Sequence, residues 1–202
     1  MAKQYDRAYF ERWYRRAGFG SPAVLERKAR YAVAVTEYLL ERPLRSVLDI
    51  GCGEGAWQPT VRKLRQSARY VGVDPSNYAV DRYGTRRNLR VGGLRDLRRL
   101  DLGGPFDLIV CIDVLPYVVD DDARTGLASI AHLLRGVALI ELFTSVDDFE
   151  GDLDGYRSRA PSTYRRWFGE AGLERIGPNV FAGAGLLGDL AAFERGSPHV
   201  GG

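Results

Sequence analysis

The fold of this chain is decided by the stretch Val47-Leu48-Asp49-Ile50-Gly51-Cys52-Gly53-Glu54-Gly55. Its first four residues form a short apolar run, which is typical of a strand buried on both faces in a parallel sheet. The glycines that follow let a ligand lie directly against the backbone, because glycine has no Cβ and tolerates positive φ. We predict a helix over residues 56–66. A strand, a glycine turn and a helix N-terminus together form a site for a nucleotide-like ligand with a negative group.

A second apolar run, Tyr70-Val71-Gly72-Val73-Asp74, ends in an acid. Asp74 lies about 20 residues past the glycines, the interval at which an acid at the end of a second strand meets ribose hydroxyls. The alternative is a turn residue before Pro75, since Asp-Pro-Ser-Asn is also good turn chemistry. We favour ribose binding because the glycine turn lies correctly upstream. A dinucleotide and S-adenosylmethionine both fit such a unit.

The wording of three motifs favours S-adenosylmethionine. The stretch from Val47 to Gly55 closely resembles motif I of class I S-adenosylmethionine-dependent methyltransferases. Val71-Gly72-Val73-Asp74-Pro75-Ser76 is similar to the second motif, and Pro105-Phe106-Asp107-Leu108-Ile109-Val110-Cys111-Ile112-Asp113-Val114-Leu115 is similar to the fourth. The chain thus resembles a small stand-alone, bacterial-type member of this Rossmann-like class. Three motifs in order are specific to the superfamily and say little about the substrate.

The resemblance implies S-adenosyl-L-methionine as the cofactor and S-adenosyl-L-homocysteine as its product. The expected cofactor-binding residues are Asp49, Gly51, Cys52, Gly53, Gly55, Asp74, Pro75, Leu94, Asp96 and Asp113. In the family an acid after the third strand accepts from the adenine amino group, but Gly93 falls at that position here. Asp96 is the nearest acid, and its alternative role is to cap the helix that begins there. Leu94 is expected to cover the adenine ring.

The residues expected near the chemistry follow two further strands. The resemblance places residues 113–117, which follow the predicted strand Phe106–Ile112, beside the transferred methyl group and the substrate. Glu141 interrupts an apolar strand predicted over residues 137–142, and a charge there must emerge at the edge or find a partner. We therefore predict Asp113, Glu141 and Tyr117 as catalytic residues, although Asp113 equally suits the capping of the next loop. No metal site is predicted.

Two segments each allow a structural and a functional interpretation. The helix predicted over residues 6–16 carries Tyr9, Phe10, Trp13 and Tyr14, which either pack on the core or form a lid over the substrate pocket. The acidic stretch 147–154 is either a solvated insertion or a rim that attracts a cationic substrate such as an amine. Its spacing matches no calcium loop.

The predicted fold is α/β, Rossmann-like and doubly wound. We expect a seven-stranded, mostly parallel sheet with an antiparallel edge strand, helices on both faces and an N-terminal helical cap. Residues 1–42 are assigned to the N-terminal helices, which comprise a cap or lid and a first packing helix. Residues 43–195 are assigned to the methyltransferase core and residues 196–202 to a disordered tail. The terminal strand pair is predicted over residues 173–181 and 187–194.

Composition limits the class of protein. The chain of 202 residues suits one domain, and its net charge of +3 is too small to argue for nucleic acid. Cys52 and Cys111 are expected to be reduced, which favours a cytoplasmic location. The sequence shows no apolar run of transmembrane length and no signal-peptide core. The arginine-rich residues 85–99 are interpreted as a solvated face.

We therefore predict a methyltransferase that acts on a small organic molecule by N- or O-methylation, in specialised metabolism. The alternatives are an RNA or protein methyltransferase and a non-methylating S-adenosylmethionine-binding protein. A nicotinamide-dependent oxidoreductase is a further, less favoured alternative. Nucleic acid is disfavoured as a partner because Asp113-Val114-Leu115-Pro116 is not the base-binding sequence Asn/Asp-Pro-Pro-Tyr/Phe. We expect no membrane partner and either a monomer or a homodimer.

Overall fold

A computed structural model describes residues 3–16, 21–148 and 150–195 of the chain, so the predicted tail over residues 196–202 lies outside the described residues. The strands are β1 Ser46–Ile50, β2 Arg69–Asp74, β3 Leu89–Val91, β4 Phe106–Ile112, β5 Leu134–Glu141, β6 Leu173–Gly177 and β7 Val180–Gly183. The α-helices are α1 Arg7–Phe10, α2 Pro22–Leu40, α3 Trp57–Leu64, α4 Asn77–Arg87, α5 Asp120–Leu133, α6 Pro161–Glu170 and α7 Ala184–Leu187. None of the described helices combines the length and the apolar character needed to span a membrane.

The strands form one sheet in the order β3-β2-β1-β4-β5-β7-β6. The first five strands pair in parallel, and β7 runs antiparallel to both of its neighbours, β5 and β6. The predicted Rossmann-like, mostly parallel sheet of seven strands is confirmed, with the antiparallel strand placed next to the edge strand β6. Because β1 lies between β2 and β4, the strand order reverses there, and ligands bind at the carboxyl ends of strands beside such a switch point.

Two apolar layers cover the sheet. Residues such as Leu48 and Ile50 of β1 point into a cluster shared with α5 and α6. Val47, the neighbour of Leu48, points into the opposite cluster, which is shared with α2, α3 and α7. This alternation explains why β1 is buried along its whole length, and it confirms the prediction of helices on both faces.

The antiparallel hairpin lies earlier in the chain than predicted. The strand pair expected over residues 173–181 and 187–194 is wrong, because both strands fall within residues 173–183 and residues 184–187 form α7. The turn between β6 and β7 contains Pro178 and Asn179, and Asn179 has φ +58°. Proline interrupts a strand and asparagine tolerates the left-handed region, so this pair marks the turn that the sequence analysis overlooked.

The N-terminal segment and α2 differ in how they pack. Asp6 caps α1 by accepting from the Tyr9 N–H at 2.9 Å, and the helix continues as a π-helix over Glu11–Arg16 rather than as the uniform α-helix predicted. Within this segment Phe10 is the buried anchor. The N-terminus of α2 is capped by Ser21, and the helix packs on the sheet through a buried stripe of Ala29, Ala32, Val33 and Thr36.

Candidate active site

A cavity of about 470 Å³ lies at the carboxyl ends of the central strands. Its walls come from the glycine turn after β1, the ends of β2 and β4, the first turns of α2, the N-terminal segment and the loop at residues 150–152. Small-molecule and cofactor sites commonly have this size and this place in a doubly wound sheet.

The glycine turn forms one wall, and its conformation requires glycine. Gly51 and Gly53 have φ values of +69° and +53°, in the left-handed region that side chains rarely adopt. A Cβ on Gly51 would lie 2.2 Å from Val114 Cγ2. The turn is thus held against the loop that follows β4, with its bare backbone at the cavity.

Asp74, at the end of β2, holds the glycine turn in place by a hydrogen bond. Its Oδ2 accepts from the Gly53 N–H at 2.7 Å and its Oδ1 from the Ser76 N–H at 2.9 Å. Burial raises the pKa of this carboxyl, while the two backbone N–H groups oppose the rise. Asp74 also lines the cavity, and a carboxylate has lone pairs left to accept from two further donors.

Asp49 and Cys52 form the buried floor. The Tyr70 hydroxyl donates to Asp49 Oδ2 at 2.6 Å, and burial raises the pKa of Asp49 to about 7. Burial and the charges of Asp49 and Asp74 raise the pKa of the Cys52 thiol, so this cysteine stays protonated. A protonated, buried thiol is a poor nucleophile.

Three charged side chains meet on the opposite wall. The Asp113 N–H donates to the Glu141 carbonyl oxygen at 2.9 Å, which holds the end of β4 against the end of β5. Lys28 Nζ lies 2.5 Å from Glu141 Oε1. The Asp113 side chain is exposed to solvent through the cavity that it lines. Desolvation by the cavity walls, and next the charge of Glu141, raise its pKa to about 6, while Lys28 lowers it. Asp113 also adopts φ +56°, which is unusual outside glycine.

Aromatic side chains cover the cavity. All four aromatic residues singled out in the N-terminal segment line it, together with Tyr5: Tyr9, Phe10, Trp13 and Tyr14. From the facing loop, the Tyr117 hydroxyl donates to the Asp152 carbonyl oxygen at 2.8 Å. Phe10 is also buried, so the segment both packs on the core and lines the cavity, and its role as a lid stays a prediction.

The structure brings most of the predicted site residues together. The cavity is lined by Asp49, Gly51, Cys52, Gly53, Asp74, Pro75, Leu94, Asp113, Tyr117 and Glu141. Gly55 and Asp96 are absent from its described lining. Gly55 packs against Leu89 at the end of the turn. Asp96 is the last residue of a 3-10 turn over Leu94–Asp96, and its Oδ2 accepts from the Gly93 N–H at 2.9 Å, so it does not cap a helix that begins after it as the alternative predicted.

Sequence reasoning missed several lining residues, among them Tyr5, Lys28 and Trp57. Lys28 follows Val24 and Leu25 by four and three residues, and all three line the cavity. Lys28 could have been predicted as a lining residue, because it is a lysine at helical spacing on an otherwise apolar stripe. Tyr5 precedes the helical pattern, and Trp57 matches an ordinary core residue, so neither had a distinguishing signal.

The acidic stretch 147–154 divides into two parts. Asp147 is structural, because its Oδ2 accepts from the Thr144 N–H at 2.7 Å and from the Thr144 hydroxyl at 2.6 Å. Glu150 and Asp152 line the cavity, as the interpretation of an acidic rim requires. Among the residues with described structure, no group of three or more His, Cys, Asp or Glu side chains is arranged to hold a metal ion.

Comparison with known families decides the class of this site. A family model described as a methyltransferase domain matches residues 24–179, which is more than half of the chain. The chain belongs to this methyltransferase family. The resemblance to S-adenosylmethionine-dependent class I enzymes is thereby confirmed, and S-adenosylmethionine is the cofactor of that class.

Named relatives of the methyltransferase agree with this family. It is 32% identical over 144 residues to the dTDP-4-amino-2,3,4,6-tetradeoxy-D-glucose N,N-dimethyltransferase of Saccharopolyspora spinosa. This alignment covers 69% of this chain and 54% of that protein. The chain spans about half the length of the curated relatives it matches.

Solved structures share its fold. The sugar N-methyltransferase KedS8 from Streptoalloteichus sp. ATCC 53650 superposes with a TM-score of 0.65 at 19% identity, over 91% of each chain. CalS10, an amino pentose methyltransferase from Micromonospora echinaspora in a complex with S-adenosylmethionine, superposes with a TM-score of 0.64 at 18% identity, over 86% of this chain and 91% of that one.

The site of the methyltransferase fits the cofactor in shape and chemistry. Gly51 and Gly53 line the cavity with their backbone, and Asp74 lines it with a carboxylate. Leu94 adds an apolar surface at the end of β3. A bare turn, an acceptor for hydroxyls and an apolar side chain are the groups that an adenosyl ligand needs.

Proposed function

We propose that this protein transfers a methyl group from S-adenosylmethionine to a nitrogen or oxygen atom of a small organic acceptor. The observation that carries the proposal is that Asp74 and the pair of Asp113 and Glu141 line one cavity from opposite sides. Asp74 binds the donor at one wall, and the acceptor lies between the donor and the acidic pair at the other.

Four groups hold the donor in this proposal. The Asp74 carboxylate accepts from the ribose hydroxyls, and its hydrogen bond to the Gly53 N–H keeps it in place for that role. Gly51 and Gly53 present their backbone to the cavity. Leu94 covers the adenine ring. The sulfonium centre supplies an already electrophilic methyl group, so the protein mainly has to position and desolvate the acceptor.

Asp113 is the proposed general base. Its pKa of about 6 keeps most of the carboxylate ionised at neutral pH, and a base is most effective when its pKa lies near the working pH. It accepts the proton that the acceptor atom loses. Glu141 keeps the local potential negative, and Lys28 fixes the Glu141 carboxylate in one position through its ion pair.

We infer that the acceptor is an amino-substituted metabolite of sugar-like size. Several carboxylates line the cavity, and Lys28 and Lys3 pair with two of them, those of Glu141 and Asp152. The carboxylates of Asp113 and Glu150 then leave an excess of negative charge, which favours a cationic or amino compound over an anionic one. The relatives named above are described as acting on amino sugars. A role in specialised metabolism and a cytoplasmic location belong to the same proposal, with the two buried free cysteines in its support.

Within this proposal the lid is residues 3–16. The division at residue 42 would place α2 with the cap, but α2 packs in the same apolar cluster as β1 and α3. The core then begins with α2. This helix contributes Lys28 to the side of the cavity that Asp113 and Glu141 form.

Calorimetric titration with S-adenosylmethionine and S-adenosylhomocysteine, with NAD as the control ligand, tests the donor. Micromolar binding of both adenosyl compounds without NAD binding is the expected result. Mass spectrometry of amino sugars incubated with enzyme and donor then tests the transfer. Binding of NAD in place of the adenosyl compounds would overturn the proposal.

A further inference from the structure

The ammonium group of Lys3 lies inside a cage of three tyrosine rings. Lys3 Nζ is 4.3 Å from the ring centroid of Tyr117, 5.4 Å from that of Tyr5 and 5.5 Å from that of Tyr9. All three distances are within the range in which a cation is attracted by the face of an aromatic ring. Lys3 is thus held as a cationic ligand would be held.

Acidic and carbonyl oxygens complete the cage. Lys3 forms an ion pair with the Asp152 carboxylate and donates to the Asp154 carbonyl oxygen at 2.7 Å. Only 14% of the Lys3 side chain and 12% of the Asp152 side chain are exposed, so this contact is unlike an ordinary surface ion pair. The position of Asp152 is fixed in turn, because its carbonyl oxygen accepts from the Tyr117 hydroxyl.

The walls of the cage also belong to the proposed active site. Tyr5, Tyr9, Tyr117 and Asp152 line the same cavity as Asp113. Burial, and next the charges of Asp74, Asp152 and Asp154, raise the pKa of Tyr5 to about 12, so its ring stays neutral. A cation that replaced the Lys3 ammonium would meet the same rings and the same carboxylate, beside the acceptor wall.

We propose that the cage formed by Tyr5, Tyr9, Tyr117 and Asp152 is a binding site for an organic ammonium group of the acceptor, and that Lys3 is a tethered competitor for it. The inference rests on the proposed function and deepens it, because it names a charged group that the acceptor carries. A nitrogen must be uncharged to attack a methyl group. The caged nitrogen therefore serves binding, and methylation takes place at a different, uncharged atom of the acceptor that faces Asp113.

A matched pair of probes tests the cage without knowledge of the acceptor. Choline and 3,3-dimethylbutan-1-ol have the same shape and differ in a positive nitrogen against a neutral carbon. Calorimetry is performed with the full chain as wild type, Lys3→Met and Lys3→Arg. We expect choline to bind Lys3→Met at least about tenfold more tightly than wild type, since the tethered competitor is gone. Lys3→Arg keeps the cation and should show no gain, and the neutral alcohol should gain nothing in any variant.

Second substitutions separate the cage from a general opening of the cavity. Adding Tyr117→Leu or Asp152→Asn to Lys3→Met should remove the gain in choline binding. A gain that persists in both double variants, an equal gain for the neutral alcohol, or no gain at all would overturn the inference. Thermal unfolding of each variant confirms that it is folded.

Binding of S-adenosylmethionine, measured on the same samples, keeps the two proposals apart. If wild type binds the donor and Lys3→Met gains no choline affinity, the cage is rejected and the proposed function stands. If wild type fails to bind the donor, the proposed function falls whatever the choline result.

Discussion

The Gly53 N–H donates to Asp74 Oδ2 at 2.7 Å, and this bond joins the glycine turn after β1 to the acid that ends β2. The two residues are 21 positions apart in the chain. Both line the cavity, so one hydrogen bond sets the distance between the two parts of the proposed donor site.

Replacing Asp74 by Asn should weaken S-adenosylmethionine binding about 10- to 100-fold. The amide keeps the shape but loses a charged acceptor for the ribose hydroxyls, and hydrogen bonds to charged groups are worth about 1.5–3 kcal/mol. Calorimetry on Asp74→Asn measures the loss. Asp81→Asn, at an exposed position on α4, is the matched control and should bind like wild type. Wild-type affinity in Asp74→Asn would contradict the assignment of Asp74 to the donor.

Replacing Asp113 by Asn should lower the turnover number and leave donor affinity nearly unchanged. With a pKa of about 6, the Asp113 carboxyl is protonated below that pH and accepts no proton, whereas it acts as a base above it. Wild-type turnover should therefore rise with pH through about 6, and this step should be missing from the pH profile of Asp113→Asn. The exposed Asp121→Asn in the first turn of α5 should retain the step. An identical profile in Asp113→Asn would remove this residue from proton transfer.

Replacing Gly51 by Ala should destabilise the protein for two separable reasons. The left-handed φ of +69° costs a side chain about 1–2 kcal/mol, and the overlap with Val114 Cγ2 adds about 1–3 kcal/mol. In the double variant Gly51→Ala/Val114→Ala the nearest remaining Val114 atom position, Cβ, is 3.6 Å away, so the overlap disappears. Urea unfolding, with Val114→Ala as the reference, should show that only the backbone part of the cost remains. If Gly51→Ala costs as much in the Val114→Ala background as in wild type, the overlap is relieved in another way.

Replacing Arg42 by Met should cost about 1.5–3 kcal/mol of unfolding free energy, because Asp107 loses its charged hydrogen bonds from Arg42 but keeps the Arg45 N–H and the more distant Arg135 as partners. Arg42 Nη1 and Nη2 donate to Asp107 at 2.8 and 2.9 Å, and the Asp107 side chain has no exposed surface. The exposed Arg62→Met on α3 is the control and should change little.

The same pair predicts how that loss depends on pH. Burial alone raises the pKa of Asp107, but the hydrogen bonds from Arg42 and from the Arg45 N–H outweigh it and hold the pKa below its usual value. Because the folded-state pKa is the lower one, the stabilisation is present above the unfolded value of about 4 and is lost as the pH falls through the folded value. The difference between wild type and Arg42→Met should therefore shrink below about pH 4. A constant difference would show that the lost interaction is packing rather than charge.

The central sheet and the side of the cavity formed by the glycine turn and Asp74 were predictable because local patterns determine them. The apolar run before Gly51 and the acid at position 74 specify a strand, a turn and a second strand, and parallel strands bring their carboxyl ends to one edge. The opposite side of the cavity, around Glu141 and Asp152, depends on contacts that no local pattern records. Lys28 reaches Glu141 across 113 residues, and Lys3 reaches Asp154 across 151 residues. The terminal hairpin was misplaced for a different reason, since the turn at Pro178 and Asn179 was overlooked.

Phe10 connects the N-terminal segment to the glycine turn. Its Cε1 lies 3.1 Å from the position that a Cβ on Gly53 would take, and its ring also contacts Tyr78 at the start of α4. If the segment is the proposed lid, its packing and ligand binding at the turn share this contact. Linkage is reciprocal, so any free energy that the packed segment adds to ligand binding, the bound ligand adds to the packing of the segment. Ligand affinity at the turn and the stability of the packed segment should then change together.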